Sequence, residues 1–260
     1  MDDFEEKLYL PQWMEQLGYE LQERIGIHYI IPPMVEIPAG EFLMGSDKRK
    51  YSKAHTWECP QFSMYSNAFE IGKYPVTVAE YILYMEAMRC KAPYSWDDQK
   101  QLLAHPVVYV TWYDAQSYAK WLSEMTGERW KLPSEAAWEK AARGTDGRIW
   151  PWGNKFDDCK ANTSEKEPRT TTPVGMYPLG ASPYGVMDMA GNVFEWTSTV
   201  YKEYPYDAED GREDENSVNN RVYRGGAWYY YSQLARVAYR NYGKPDSCDI
   251  GRGFRLMHFS

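Results

Sequence analysis

The chain is short of the groups that many chemistries and compartments require. Its four cysteines, Cys59, Cys90, Cys159 and Cys248, stand far apart with no C-x-x-C pair and no nearby His, so their spacing supports neither a zinc site nor a redox dithiol. His28 and His105 lack partners at ligating intervals and are expected to be structural. No apolar run approaches the ~20 residues that a membrane helix needs, which argues against membrane insertion. The 29 basic residues are outnumbered by 37 acidic ones, for a net charge of -8, and do not cluster, so the electrostatic footprint of nucleic-acid binding is missing. The start, Met1-Asp2-Asp3-Phe4-Glu5-Glu6, lacks the apolar core of a secretory leader. The expectation is therefore a cytoplasmic protein with reduced, structural cysteines. Internal repeats and low-complexity tracts are also absent.

Aromatic residues are plentiful instead. With 11 Trp and 23 Tyr in 260 residues, the composition suits a sizeable core held by large side chains and joined by long loops. One stretch near the C-terminus concentrates the pattern. At its left end Val222 alternates with Arg224 as in a short strand, Gly225 and Gly226 permit unusual backbone conformations, and Trp228 offers an apolar anchor. At its right end Gly253-Phe254-Arg255-Leu256 alternates like a closing strand. Between them Tyr229, Tyr230, Tyr231, Ser232, Asn241, Tyr242, Gly243, Ser247, Cys248, Asp249, Ile250 and Gly251 follow neither a helical nor a strand period. Tyr, Ser, Gly, Asn and Asp are the vocabulary of adaptable recognition loops, although an ordinary surface connection has a similar composition.

Residues 1–33 read as an N-terminal helical appendage or linker, with Trp13, Met14, Leu17 and Leu21 on one helix face and Ile30-Ile31-Pro32-Pro33 as an extended break. The main domain is expected over residues 34–260. It opens with a hairpin, Val35–Ile37 and Glu41–Met44 about the turn Pro38-Ala39-Gly40, followed by extended structure at Phe69–Lys73. Three helices follow from their caps. Thr77 with Glu80 opens the first, Thr111 opens the second after a short strand at His105–Val110, and Ser134 opens a third that closes at Gly144. Beyond Gly144 turns dominate. The acidic run Asp207–Glu215 is expected to be a solvated loop.

Several segments together resemble the formylglycine-generating (sulfatase-modifying factor) domain family. They are Val35–Ser46, Tyr74–Thr77, His105–Val107, Lys131–Glu139, Trp150–Asn154, Asp188–Trp196 and Arg224–Gly226, in the family's order. The resemblance implies an α+β fold, a variant of the C-type lectin fold with little regular secondary structure. The family's best-known members are oxidases that use two cysteines just after the Gly-Gly motif, but Ala227–Arg240 contains none. A thiol-based copper mechanism needs paired thiolates, so neither catalysis nor copper is expected. The chain is also similar to the variable proteins of diversity-generating retroelements, through Arg224-Gly225-Gly226-Ala227-Trp228, Arg236–Arg240, Pro245-Asp246 and Gly253–Leu256.

That likeness implies a variable region at about residues 224–256, diversified at template adenines. Tyr, Ser, Gly, Asp, Cys and Ile all lie one or two adenine changes from an AAC codon; Gln233 and Lys244 do not. The implied function is a non-catalytic module whose twelve irregular residues bind an unknown protein or surface ligand. The alternative is an oxidase relative with lost or altered catalysis. Family resemblance further implies calcium at Asp188, Gly191, Val193 and Glu195, an all-oxygen set of two carboxylates and two carbonyls. The two carboxylates could equally be satisfied by backbone amides or by an Arg. A second calcium site would begin at Asn162 and Thr163, but the segment that completes it is shortened here to Ser164–Pro168.

Overall fold

A computed structural model describes residues 9–258. Near its start, helix α1 (Gln12–Leu17) stops at Gly18, whose left-handed conformation lets its N–H bond back to Glu15. Leu21 therefore lies not on the helix but on β1 (Glu20–Arg24), which forms an antiparallel hairpin with β2 (Ile27–Ile31). Met14, Tyr19 and Ile30 are buried in one cluster with Tyr74, Val174 and Met187. The segment expected as a helical appendage is thus a short helix and a hairpin packed onto the domain.

The expected hairpin at residues 35–44 forms differently. β3 (Met34–Ile37) and β4 (Gly40–Met44) are both strands, but they join different sheets. β4 pairs with β5 (Phe62–Ser66), and β3 pairs with β6 (Phe69–Gly72). Ile37 and Phe42 fill separate apolar clusters, so the intervening turn separates two layers.

Helix α2 (Val78–Met88) is capped by Thr77, whose N–H and hydroxyl both donate to Glu80 Oε2 at 2.7 and 2.6 Å. A four-residue helix, α3 (Trp96–Gln99), precedes the expected strand at His105–Val110. That stretch forms no ladder beyond a single bridge between Thr77 and Pro106. Thr111 then caps α4 (Trp112–Thr126), and β7 (Trp130–Lys131) leads into α5 (Glu135–Arg143), capped by Ser134.

The remaining strands assemble the C-terminal half. β8 (Phe194–Val200), β9 (Arg221–Arg224), β10 (Arg240–Gly243) and β11 (Arg252–Phe254) form a sheet in the order β10-β9-β8-β11. β12 (Met257–His258) pairs between β6 and β7 in a second four-stranded sheet. α2 and α4 bury Tyr81, Tyr84, Tyr118 and Trp121 against Trp196, Tyr223 and Phe254 of the first sheet. α5 packs Ala137, Trp138 and Ala141 on Ile37, Ile71 and Met257 of the second. The acidic run is only partly solvated. Arg212 is buried, and Glu213 accepts hydrogen bonds from Ser198, Thr199 and Tyr206. Among the described residues no helix is long and apolar enough to cross a membrane.

Candidate functional site: the C-terminal surface and its buried footing

The irregular segments are fixed from below by arginines. On β9, Arg224 donates to Glu135 Oε1 at 3.1 Å and to Glu139, while also bonding the carbonyls of Val237 and Ala238. On β10, Arg240 grips Glu135 with bonds of 2.7 and 2.5 Å. Arg236 makes a bidentate pair with Glu58, 2.7 Å on each arm. Arg255 does the same to Glu195 at 2.6 and 2.7 Å. All eight side chains are at most 2% exposed. Glu135 and Glu139 lie in the first turns of α5, four residues apart on one face, where the helix N-terminus favours negative charge. Burial opposes the charge on Arg240, yet Glu135 holds its pKa above the usual arginine range.

Two glycines set the turns between these anchors. Gly226 adopts φ +77°, and a Cβ there would stand 2.7 Å from the Cα of Ala235. A Cβ on Gly251 would lie 2.5 Å from the Tyr229 ring, so only Gly lets that ring settle.

The twelve irregular residues come together, but not all face water. Tyr231 is 68% exposed, Tyr242 45% and Ile250 43%, and Cys248 is also exposed. Tyr229 and Tyr230 are half-buried, with ring centroids 4.6 Å apart, and Tyr230 packs edge-on to Phe194. The Tyr229 hydroxyl donates to Asp249 Oδ1, which also accepts from the Gly251 N–H at 3.0 Å, joining the 229–232 segment to the 247–251 segment. Burial and the Asp249 carboxylate push the Tyr229 pKa well up. Ser247 accepts from Arg252, whose guanidinium lies 4.3 Å over the Tyr223 ring, and Tyr223 pairs with Asn241 on β10. All three segments therefore meet around Tyr223 and Arg252. Ser232 and Gly251 are buried and are corrected from display positions to structural ones. Ser232 starts a 3-10 turn and takes the Glu165 carboxylate on its N–H at 2.8 Å. Trp228, expected as a buried anchor, is half-buried, and its enclosed indole N–H lacks a partner.

The residues expected to hold calcium do not fit that ion. Both oxygens of Glu195 accept from the Arg255 guanidinium, and Oε2 also takes the Trp138 indole N–H at 2.7 Å. A cation placed on that carboxylate would face a guanidinium already in contact with it. Asp188 instead accepts the Gly175 N–H at 2.7 Å, and burial raises its pKa to about 6. The Gly191 N–H bonds to the Gly225 carbonyl, and Val193 is fully buried in the core. Asn162 donates its side-chain amide to Thr170 and Asn192. His105 meets the Thr171 hydroxyl at 2.9 Å, and all four cysteines are free thiols.

The four carboxylates that hold the arginines, Glu58, Glu135, Glu139 and Glu195, are the part of the site that sequence reasoning missed as a set. The available signal was Glu135 and Glu139 at i, i+4 beside helix-opening Ser134, on a helix face that otherwise buries Ala and Trp.

Residues 28–259 match the sulfatase-modifying factor enzyme 1-like domain. Among curated relatives, the serine/threonine-protein kinase pkn1 of Chlamydia caviae is 30% identical over 259 residues, covering 91% of this chain and 39% of that protein. The chain thus spans well under half the length of that relative. Among solved structures, PvdO from Pseudomonas aeruginosa superimposes with a TM-score of 0.74 at 28% identity, covering 88% of this chain and 95% of that one. The Treponema denticola variable protein 1 superimposes with a TM-score of 0.70 at 20% identity, covering 94% and 99%. The second likeness carries the fold alone.

Proposed function

The chain belongs to the sulfatase-modifying factor enzyme 1-like domain family, and from that premise we propose that it is a non-catalytic binding module whose C-terminal surface recognises a protein ligand. The observation that carries this reading is the division of labour along Arg221–Leu256. Side chains of one kind are clamped inside by bidentate ion pairs, while Tyr231, Tyr242, Cys248 and Ile250 project from the connections between them. Exposed Tyr supplies wide amphipathic contact at low entropy cost, and a few exposed aromatics commonly dominate an interface. The reading does not require a thiol pair, and residues 227–240 hold no cysteine.

If a retroelement diversifies this surface, the genomic DNA should carry a near-copy of codons 229–251 that differs almost only at adenines, beside a reverse transcriptase gene. Sequencing the flanking DNA tests this. A locus without such a copy would move the assignment to an oxidase relative with lost or altered catalysis.

A further inference from the structure

A groove of about 370 Å³ opens between α4, β7 and the loop after the acidic run. Its floor and walls include Trp112, Gln116, Lys120, Arg129, Trp130 and Asn216. Trp112 and Trp130 are 2% and 4% exposed, so the base of the groove is fixed by the core. The side chains of Lys120, Arg129 and Gln116 make no hydrogen bond or ion pair among the described residues, although acidic residues outnumber basic ones in this chain. Lys131 brings a further positive charge from β7. Burial lowers its pKa and Arg129 lowers it further, which places the two cations near each other. A single carboxylate, Glu215, faces them from the opposite loop. The surplus charge cannot be credited to structure, since like charges brought together cost free energy unless an anion joins them. Arg and Lys with amide donors at one concave site match the acceptor-rich geometry of an oxyanion.

We propose that this groove binds an oxyanion of the phosphoryl type, with Lys120 and Arg129 as its principal ligands and Gln116 and Asn216 as neutral donors. The site is separate from the display residues and does not depend on the function proposed for them.

The test is isothermal titration of the whole chain with inorganic phosphate, at an ionic strength held constant with sodium chloride. One saturable site is expected. The double variant Lys120→Gln, Arg129→Gln should weaken it by at least about tenfold, the loss of one charge-assisted contact or more. Lys120→Arg should retain binding, and Glu215→Gln should tighten it by removing the opposing charge. Both cationic side chains are exposed, so the variants keep the fold, as circular dichroism would verify. Phosphate heats no different from those of chloride, or a double variant that binds like the parent, would overturn the proposal.

Discussion

Between Arg221 and Leu256 the chain carries two populations of side chains that experience opposite environments. Arg224, Arg236, Arg240 and Arg255 are charged and sealed from water, whereas the aromatic Tyr231 and the aliphatic Ile250 face it. The usual sorting of charged outside and apolar inside is reversed, and the reversal has a physical logic. A guanidinium in a low-dielectric interior is tolerable only with a carboxylate in bidentate register, so each arginine allows essentially one backbone position. A tyrosine on a loop places no such demand on its neighbours. The first population fixes where the loops run, and the second can change without disturbing that path.

The sharpest way to break this contrast is to remove a carboxylate that serves two arginines. Glu135→Ala leaves Arg224 and Arg240 buried without a shared counter-charge. Deleting one member of a buried pair typically costs roughly 3–5 kcal/mol, and this one should sit at the upper end or abolish folding. Denaturant unfolding reads it, and a loss below about 1 kcal/mol would show that the arginines do not anchor the stretch.

The next effect compares buried carboxylates that have a guanidinium with one that lacks it. Glu80 is fully buried, and burial raises its pKa to about 7 despite the hydrogen bonds from Thr77. An unfolded Glu titrates near ~4.3, so the folded state favours the neutral acid. The stability this group contributes is therefore complete below about pH 4 and is lost as pH rises through about 7, on the order of 3 kcal/mol in all. Glu80→Gln should flatten that decline in unfolding free energy between pH 4.5 and 7.5. Parallel profiles for parent and variant would remove burial of Glu80 as its cause.

Tyr229 stands between the two populations, with its ring packed and its hydroxyl on Asp249. Tyr229→Phe keeps the ring and loses one hydrogen bond, for an expected cost of about 1 kcal/mol. Tyr231→Ala, Tyr242→Ala and Ile250→Ala should each stay within ~0.5 kcal/mol of the parent, as exposed positions do. A larger loss at Tyr231 or Ile250 would make the surface packing rather than display.

How much of this was legible in the sequence depended on the range of the interaction. The Thr77–Glu80 and Thr111–Asp114 boxes are local, and the helices they cap lie where the sequence puts them. The strands at Val35 and Phe42 were equally visible, but their partners were not, because β3 pairs across to β6 and β4 to β5. The clamp from Arg236 to Glu58 joins residues 178 apart, and no periodicity reports such a contact. Composition marked residues 229–251 as irregular without saying which way a side chain points. Thus Ser232 and Gly251 could not be told from Tyr231.

The smallest expected effect is none at all, and it concerns Glu195. Family resemblance points to calcium on this carboxylate, yet Arg255 already supplies it with a fixed positive charge through two bonds and continues to the carbonyls of Gly72 and Met187. The guanidinium thus does within the chain what a metal ion would do from outside, tying β8 to β11 and to the end of β6. A ligand that binds only the native state raises stability as its concentration rises, so calcium at this position would shift the melting temperature while a chelator would reverse the shift. The ion pair predicts identical melting curves in calcium and in chelator. Arg255→Gln tests the same point from the other side. It leaves Glu195 buried without its partner, and if the carboxylate can accept a metal once the guanidinium is gone, calcium should recover part of the lost stability in the variant while leaving the parent unchanged. A parent protein that melts higher with calcium would place the ion beside Arg255 rather than in competition with it.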